Sequence, residues 1–166
     1  MASVTLGGTP VNTIDNLPKV GSPAPDFTLS RNDLSSVTLN DYRGKKLILN
    51  IFPSVDTGVC AQSIRTFNEK ASALENTEVL CISRDLPFAQ ARFCGAEGIE
   101  NVTTLSDFKQ GEFGKDYGIE LVDGGFEGLH SRAIVAVDEK GKVIHTELVP
   151  EIGHEPNYEA ALNALS

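Results

Sequence analysis

Apolar runs alternate along the chain with amphipathic stretches, in the pattern of buried strands joined by helices. Residues 46–52 are largely apolar on both faces, which predicts a strand in the middle of a sheet. Pro53 ends this strand. Residues 77–83 predict a second buried strand, and residues 132–137 predict another. These three segments are therefore expected to belong to the central sheet.

Helical spacing appears between the strands. The first predicted helix carries apolar positions at Cys60, Ile64, Phe67, Ala71 and Leu74. Their intervals of four, three, four and three residues predict one buried face and place Cys60 in the first turn. Pro87 suits the first turn of a second helix, which we expect to run to about Cys94 and to end at Gly95.

Hairpins are predicted near both ends of the chain. Residues 4–6 and 11–14 flank a Gly-Gly-Thr-Pro turn, and residues 142–149 pair back on the strand 132–137. The last helix has apolar positions at Tyr158, Ala161, Leu162 and Leu165. The order β-α-β-α-β-β-α predicts an α/β thioredoxin-like fold, in a single domain of residues 1–166 with an N-terminal β-hairpin.

Composition and charge narrow the class of protein. The chain is 40% hydrophobic and 22% charged, as globular domains are, and has no apolar run long enough to cross a membrane. Residues 1–11 contain no Lys or Arg and do not resemble a secretory signal, so a cytoplasmic location is expected. The formal charge of −9 makes nucleic acid an unfavourable partner.

The chain contains three cysteines and three histidines that could ligate a metal: Cys60, Cys81, Cys94, His130, His145 and His154. The cysteines have no CxxC spacing, and their odd number argues against a disulfide scaffold. The histidines have no HxxxH or HExxH spacing. We therefore expect neither a metal nor a cofactor, and the cysteines are either structural or catalytic.

Cys60 is the strongest candidate for a nucleophile. A helix N-terminus favours the thiolate, which is the reactive form of cysteine. The preceding loop, residues 53–58, can leave the sulfur reachable from solvent, and Thr57 can direct its hydroxyl at the same site. The alternative is a buried core cysteine, because free cysteines are among the most buried residues.

Residues 53–68 resemble the active-site segment of thiol peroxidases, an atypical two-cysteine branch of the peroxiredoxins. Pro53, Thr57 and Cys60 match the P-x-x-x-T-x-x-C motif of that superfamily. Residues 21–29 resemble a segment near the start of peroxiredoxin domains, and the opening hairpin is typical of thiol peroxidases. The resemblance implies a thioredoxin-like fold of the peroxiredoxin type.

The resemblance also implies a role for each site residue. Cys60 would attack a hydroperoxide and become a sulfenic acid, Thr57 would hydrogen-bond the peroxide, and Pro53 would shield the site from water. Arg132 would stabilise the thiolate and the developing negative charge. Cys94 matches the resolving cysteine, which would form an intramolecular disulfide with Cys60.

The partners implied by the resemblance are hydrogen peroxide or organic hydroperoxides as substrates, thioredoxin as the reductant, and a second copy in a homodimer. The implied role is antioxidant defence. Both cysteines are predicted near helix ends, whereas a disulfide needs Cα atoms within about 7 Å. We therefore predict that both segments unfold locally during turnover.

Several alternatives stay open on the sequence alone. Cys94 could be a core residue, Arg132 could form a surface ion pair, and Cys81 in a buried strand is expected to be core.

His130 occupies a position that is more often apolar in the family. Thr57 replaces the first cysteine of a CxxC motif, which disfavours a disulfide reductase. A redox sensor using Cys60 and Cys94, or a noncatalytic interaction module, remains possible.

Overall fold

The computed structural model describes residues 1–166 and contains nine strands, four α-helices and one short 3-10 helix at Leu39–Tyr42. The strands are β1 (Ser3–Leu6), β2 (Thr9–Asn12), β3 (Thr28–Ser30), β4 (Ser36–Thr38), β5 (Lys46–Ile51), β6 (Thr77–Ser83), β7 (Thr103–Ser106), β8 (Ala133–Val137) and β9 (Val143–Leu148). The helices are α1 (Gly58–Ala71), α2 (Pro87–Glu97), α3 (Glu112–Asp116) and α4 (Tyr158–Ala164).

Strand β5 lies inside a seven-stranded sheet with the order β4-β3-β7-β6-β5-β8-β9. It pairs in parallel with β6 and antiparallel with β8. Because successive side chains point to opposite faces, Leu47 and Leu49 join one cluster of 17 buried residues, and Ile48 joins a second cluster of 15. This two-sided burial explains why the segment is apolar on both faces.

Helices cover both faces of this sheet. Ile64 of α1, Phe93 of α2 and Ala161 of α4 all belong to the cluster of 15 residues, whereas Phe113 of α3 belongs to the cluster of 17. Helices on both sides of a largely parallel centre are the layered α/β arrangement that was predicted.

The sequence did not predict strands β4 and β7 or helix α3. Strand β7 has the polar sequence Thr-Thr-Leu-Ser and helix α3 has only five residues, so neither shows a hydrophobic period. Strand β7 forms because it pairs with β6 on one side and with β3 on the other. Pairing with neighbours therefore overrides its weak local signal.

Two predicted boundaries were wrong. Helix α2 continues through Gly95 to Glu97, and Gly98 ends it with a left-handed φ of 66°. In the opening hairpin, the turn consists of Gly7 and Gly8 alone, both with positive φ, so that Thr9 already belongs to β2. Two residues with positive φ match the twist of a tight hairpin better than a four-residue loop.

None of the helices combines the length and the apolar character that crossing a membrane requires.

Candidate active site

The loop of residues 53–57 carries the end of β5 into α1. Pro53 is buried two residues after the end of the strand, and Thr57 is the N-cap residue of α1 with extended backbone angles. The first backbone hydrogen bond of the helix runs from the Ala61 N–H to the Thr57 carbonyl at 3.0 Å. Cys60 is the third helical residue, so its N–H lies among the free donors of the first turn, as predicted.

Arg132 brings a buried positive charge to Cys60. The residue immediately precedes β8 and its relative exposure is 1%. Its Nη2 donates to Cys60 Sγ at 3.1 Å, and its Nε donates to the Ile152 carbonyl at 2.7 Å. No carboxylate lies within salt-bridge distance of this guanidinium, and Nη1 has no partner among the protein atoms. The surface ion pair considered for Arg132 is therefore wrong.

Cys60 itself is fully buried, with a relative exposure of 0%. The expectation of a solvent-reachable sulfur is wrong, because Val55 of the loop and Phe52 at the strand end pack in the same cluster as Cys60. The alternative of a core cysteine is correct about burial. A cysteine that only fills space, however, needs no guanidinium beside its sulfur.

Thr57 is half-buried at the start of α1. Its Oγ1 donates to the Ser54 carbonyl at 3.2 Å and does not cap the helix. Because the hydroxyl proton is used within the loop, the oxygen lone pairs stay available to accept a hydrogen bond. The hydroxyl makes no hydrogen bond to Cys60.

Asp85 is a site residue that the sequence reading missed. Its carboxylate accepts hydrogen bonds from Ser54 Oγ at 2.7 Å, from the Val55 N–H at 2.8 Å and from Ser83 Oγ at 2.6 Å. Asp85 follows β6 and comes two residues before α2. It therefore joins the loop before Cys60 to the start of the helix that carries Cys94. An acidic residue two positions after the end of a buried strand was the available signal.

A second link between the same segments is weaker. Arg92 Nη2 on α2 lies 3.0 Å from Asp56 Oδ1 in the loop, and both side chains are 65% exposed. Ion pairs that exposed contribute little to stability. Asp85 therefore makes the stronger connection between the loop before Cys60 and the start of α2.

Cys94 and Cys60 lie over different strands of the sheet. Cys94 Sγ is 3.5 Å from Thr104 Oγ1 on β7, whereas Ser63, one turn after Cys60, accepts a hydrogen bond from Asn50 of β5. Asn50, Cys81 and Thr104 form one row across β5, β6 and β7. With strands about 4.8 Å apart, two strand spacings separate the two positions by roughly 10 Å.

Cys81 lies in the core of the sheet, where its thiol keeps its proton at neutral pH. All three cysteines are free, but Cys94 is half-buried while Cys81 is completely buried on β6. Burial raises the pKa of the Cys81 thiol to about 12, against a smaller opposing effect of the hydrogen bond from Asn50. The prediction of a core residue at Cys81 is confirmed.

His130 has a packing role away from Cys60. It is fully buried, with Nε2 2.8 Å from Asp107 Oδ2, and its ring packs against Phe113. The same carboxylate accepts the Gly114 N–H at 3.0 Å. The histidine therefore fastens α3 to the segment before β8, and a polar partner accounts for its place among apolar neighbours.

Residues 19–162 match the Redoxin family. The thiol peroxidase of Mycobacterium tuberculosis is 59% identical over 165 residues, which cover 99% of each chain. A peroxiredoxin-like protein from Aquifex aeolicus superposes with a TM-score of 0.93 at 37% identity, over 98% of this chain and 95% of that one. A thiol peroxidase from Chromobacterium violaceum superposes with a TM-score of 0.90 at 21% identity, over 98% and 95% of the two chains.

These likenesses extend over nearly the whole chain, and the solved structures confirm the predicted thioredoxin-like fold of the peroxiredoxin type. The P-x-x-x-T-x-x-C segment lies where that fold joins a central strand to its first helix. The chain therefore belongs to the Redoxin family and is a thiol-dependent peroxidase of the peroxiredoxin type.

Proposed function

We propose that Cys60 is the peroxidatic residue and that Arg132, Thr57 and Pro53 complete its site. The observation that carries the proposal is the buried guanidinium of Arg132, placed 3.1 Å from the Cys60 sulfur with no carboxylate nearby. A buried cation is costly unless an anion compensates it. The Cys60 thiolate supplies that negative charge, and the free N–H groups at the start of α1 stabilise it further.

The first chemical step is a displacement on oxygen. The thiolate of Cys60 attacks the terminal oxygen of the hydroperoxide, the S–O bond forms and the O–O bond breaks. The leaving oxygen takes up a proton to give water or an alcohol, and the sulfur becomes a sulfenic acid. Arg132 Nη1, which is buried and unpartnered, is the donor for the negative charge that develops on the peroxide oxygens.

Thr57 and Pro53 prepare the substrate side of the same site. Thr57 Oγ1 directs its proton to the Ser54 carbonyl and so accepts a hydrogen bond from the peroxide. Pro53, the first residue of the loop, is buried and excludes water from the site. Because Cys60 has no exposed surface, we expect the peroxide to enter past the half-buried Thr57.

Cys94 resolves the sulfenic acid. Its thiol attacks the Cys60 sulfur, a disulfide forms and water leaves. The separation of about two strand spacings, roughly 10 Å, exceeds the reach of a disulfide, so α1 and α2 unwind locally before the bond forms. Thioredoxin then reduces the Cys60–Cys94 disulfide, and both hydrogen peroxide and organic hydroperoxides serve as substrates in antioxidant defence.

A homodimer is proposed through the apolar surface beside the active-site loop. Leu86 and Phe88 flank the first residue of α2 and are 52% and 65% exposed. Their neighbour Asp85 binds the loop before Cys60. Sedimentation of the wild type and of Phe88→Glu tests this contact: a dimer that becomes a monomer is expected, and a wild-type monomer would remove the proposal.

We further infer that residues 1–166 form one domain. The hairpin β1–β2 is hydrogen-bonded to residues 150–152 through the Thr5 backbone. A single cooperative unfolding transition in urea is expected, and a separate early transition of the hairpin would contradict this inference.

The test of the catalytic proposal is NADPH oxidation coupled to thioredoxin reductase and thioredoxin, with hydrogen peroxide and then cumene hydroperoxide. Turnover is expected to vanish in Cys60→Ser and in Cys94→Ser. Cys81→Ser is the matched control and is expected to keep turnover, because its thiol is buried and inert. Loss in Cys60→Ser alone would remove the role of Cys94, and an inactive wild type would remove thioredoxin as the reductant.

A further inference from the structure

The N-terminal hairpin lies outside the part of the chain that matches the Redoxin family, residues 19–162. It nevertheless binds a segment that reaches the active site. The Thr5 N–H donates to the Pro150 carbonyl at 2.8 Å, and the Ile152 N–H donates to the Thr5 carbonyl at 2.8 Å. The side chain of Ile152 is buried with Val4 and Val11 of the hairpin. Backbone and side chain of Ile152 are thus both held by the hairpin.

Glu151 strengthens this attachment. Its carboxylate accepts hydrogen bonds from Thr5 Oγ1 and the Gly8 N–H at 2.9 Å each, from the Gly7 N–H at 3.2 Å, and from the Gly153 N–H at 2.8 Å. Gly7 and Gly8 both have positive φ, which turns their N–H groups toward one acceptor. These bonds, led by those from Gly153 and Gly8, lower the pKa of Glu151 to about 2.

The carbonyl of Ile152 connects the segment held by the hairpin to the active site. It accepts the hydrogen bond from Arg132 Nε at 2.7 Å, and Nη2 of the same guanidinium contacts Cys60 Sγ at 3.1 Å. The guanidinium is planar and rigid, so an acceptor that holds Nε also sets the direction of the Nη atoms. The position of the Ile152 carbonyl therefore determines how Arg132 faces the sulfur.

We propose that Glu151 is a positioning residue for peroxide reduction. It binds the hairpin to residues 150–153 and so orients Arg132 through the Ile152 carbonyl. This inference rests on the proposed roles of Cys60 and Arg132. It assigns the hairpin a task in the reaction in addition to any contribution to stability. A displacement of catalytic groups by about 1 Å can slow a reaction by up to roughly 100-fold.

Asp123 offers a matched control. Its carboxylate also binds the hairpin, accepting hydrogen bonds from the Asn12 N–H at 2.8 Å and from Asn12 Nδ2 at 2.9 Å. Asp123 has no bond to residues 150–153 or to Arg132. Asp123→Asn therefore weakens the attachment of the hairpin at Asn12. It leaves the contacts of Glu151, the Ile152 carbonyl and Arg132 in place.

The experiment measures the rate constant of Cys60 oxidation by hydrogen peroxide, from dimedone trapping of the sulfenic acid in a Cys94→Ser background. Glu151→Gln is expected to lower this constant by roughly 10-fold, less than a full 1 Å displacement would. Asp123→Asn is expected to stay within about two-fold of the parent, since it leaves the Ile152 carbonyl in place. Thr5→Val, which removes one donor to Glu151, is expected to give a smaller decrease in the same direction.

A second readout distinguishes positioning from simple stability. The Arg132 Nε–H resonance of the wild type is expected to be protected from hydrogen exchange, and Glu151→Gln is expected to lose part of that protection while the protein stays folded. Equal rate constants for Glu151→Gln and its parent would overturn the inference, as would an equal slowing by Asp123→Asn. A parent protein whose Cys60 is not oxidised at all would overturn the proposed function as well.

Discussion

Asp85→Asn tests whether local unfolding precedes formation of the disulfide. In the folded protein, Asp85 Oδ2 accepts from the Val55 N–H and Ser83 Oγ, and Oδ1 accepts from Ser54 Oγ. An asparagine has one acceptor oxygen, so it can keep at most the pair at Oδ2. The hydrogen bond that Ser54 Oγ donates to the carboxylate is lost, or is replaced by a neutral bond that the asparagine Nδ2 donates to Ser54 Oγ, and the two remaining bonds lose their charge.

The size of the effect follows from these bonds. A hydrogen bond to a charged group contributes about 1.5–3 kcal/mol, and the partial exposure of Asp85 favours the lower end. Opening of the loop before Cys60 is therefore expected to become easier by about 1.5 kcal/mol, which is roughly a ten-fold change in the opening equilibrium. If the open form is the one that reacts with Cys94, disulfide formation accelerates by up to the same factor.

The assay is a quenched-flow measurement of the Cys60–Cys94 disulfide, by mass spectrometry, after a single equivalent of hydrogen peroxide. Asp56→Asn is the control, because its ion pair with Arg92 is 65% exposed on both sides and contributes little. Its rate is expected to match the wild type within about two-fold. Disulfide formation in Asp85→Asn that is unchanged or slower would refute the reasoning, because the loop would then open no more easily or would not need to open.

Two further outcomes are expected. Arg132→Lys should lower kcat/KM for hydrogen peroxide by roughly 100-fold or more. The reason is that one ammonium cannot donate to the Ile152 carbonyl and to Cys60 with the geometry of a guanidinium. A loss below about three-fold, with unchanged circular dichroism, would contradict the role of Arg132. Because the pKa of Glu151 is lowered from its usual value of 4.5 to about 2, its carboxylate stabilises the fold above pH 4.5 and loses that contribution as the pH falls toward 2. The difference in urea midpoint between wild type and Glu151→Gln should therefore be constant above about pH 5.5 and vanish near pH 2. A difference that persists at pH 2 would show that the carboxylate charge of Glu151 does not cause the difference in stability.

Local pattern was sufficient for the elements that carry Cys60. The two-sided apolar character of residues 46–52, the proline after them and the helical spacing from Cys60 onward all concern neighbours in the chain. Strand β5 and helix α1 form where this pattern places them, with Cys60 in the first turn. The motif around Cys60 indicated the family for the same reason, since all of its residues lie within one short segment.

The sequence pattern was less informative where stability comes from neighbours in space. Strand β7 has no hydrophobic period and exists because β6 and β3 both pair with it. The sulfur of Cys60 was expected to be reachable from solvent, but Cys60 is fully buried in a cluster that includes Val55 and Phe52. Burial of that kind depends on how elements pack, which periodicity does not describe.

By itself, the sequence determined the layered α/β architecture, the candidate nucleophile at a helix start and the family. Only the tertiary structure decided which atoms surround the sulfur. Arg132 lies 72 residues from Cys60 and contacts it because β8 pairs with β5. Its other acceptor, the Ile152 carbonyl, belongs to a segment that is held by the hairpin at the opposite end of the chain. Hydrogen bonds act over about 3 Å, so contacts between such distant residues are set by strand order and not by spacing along the chain.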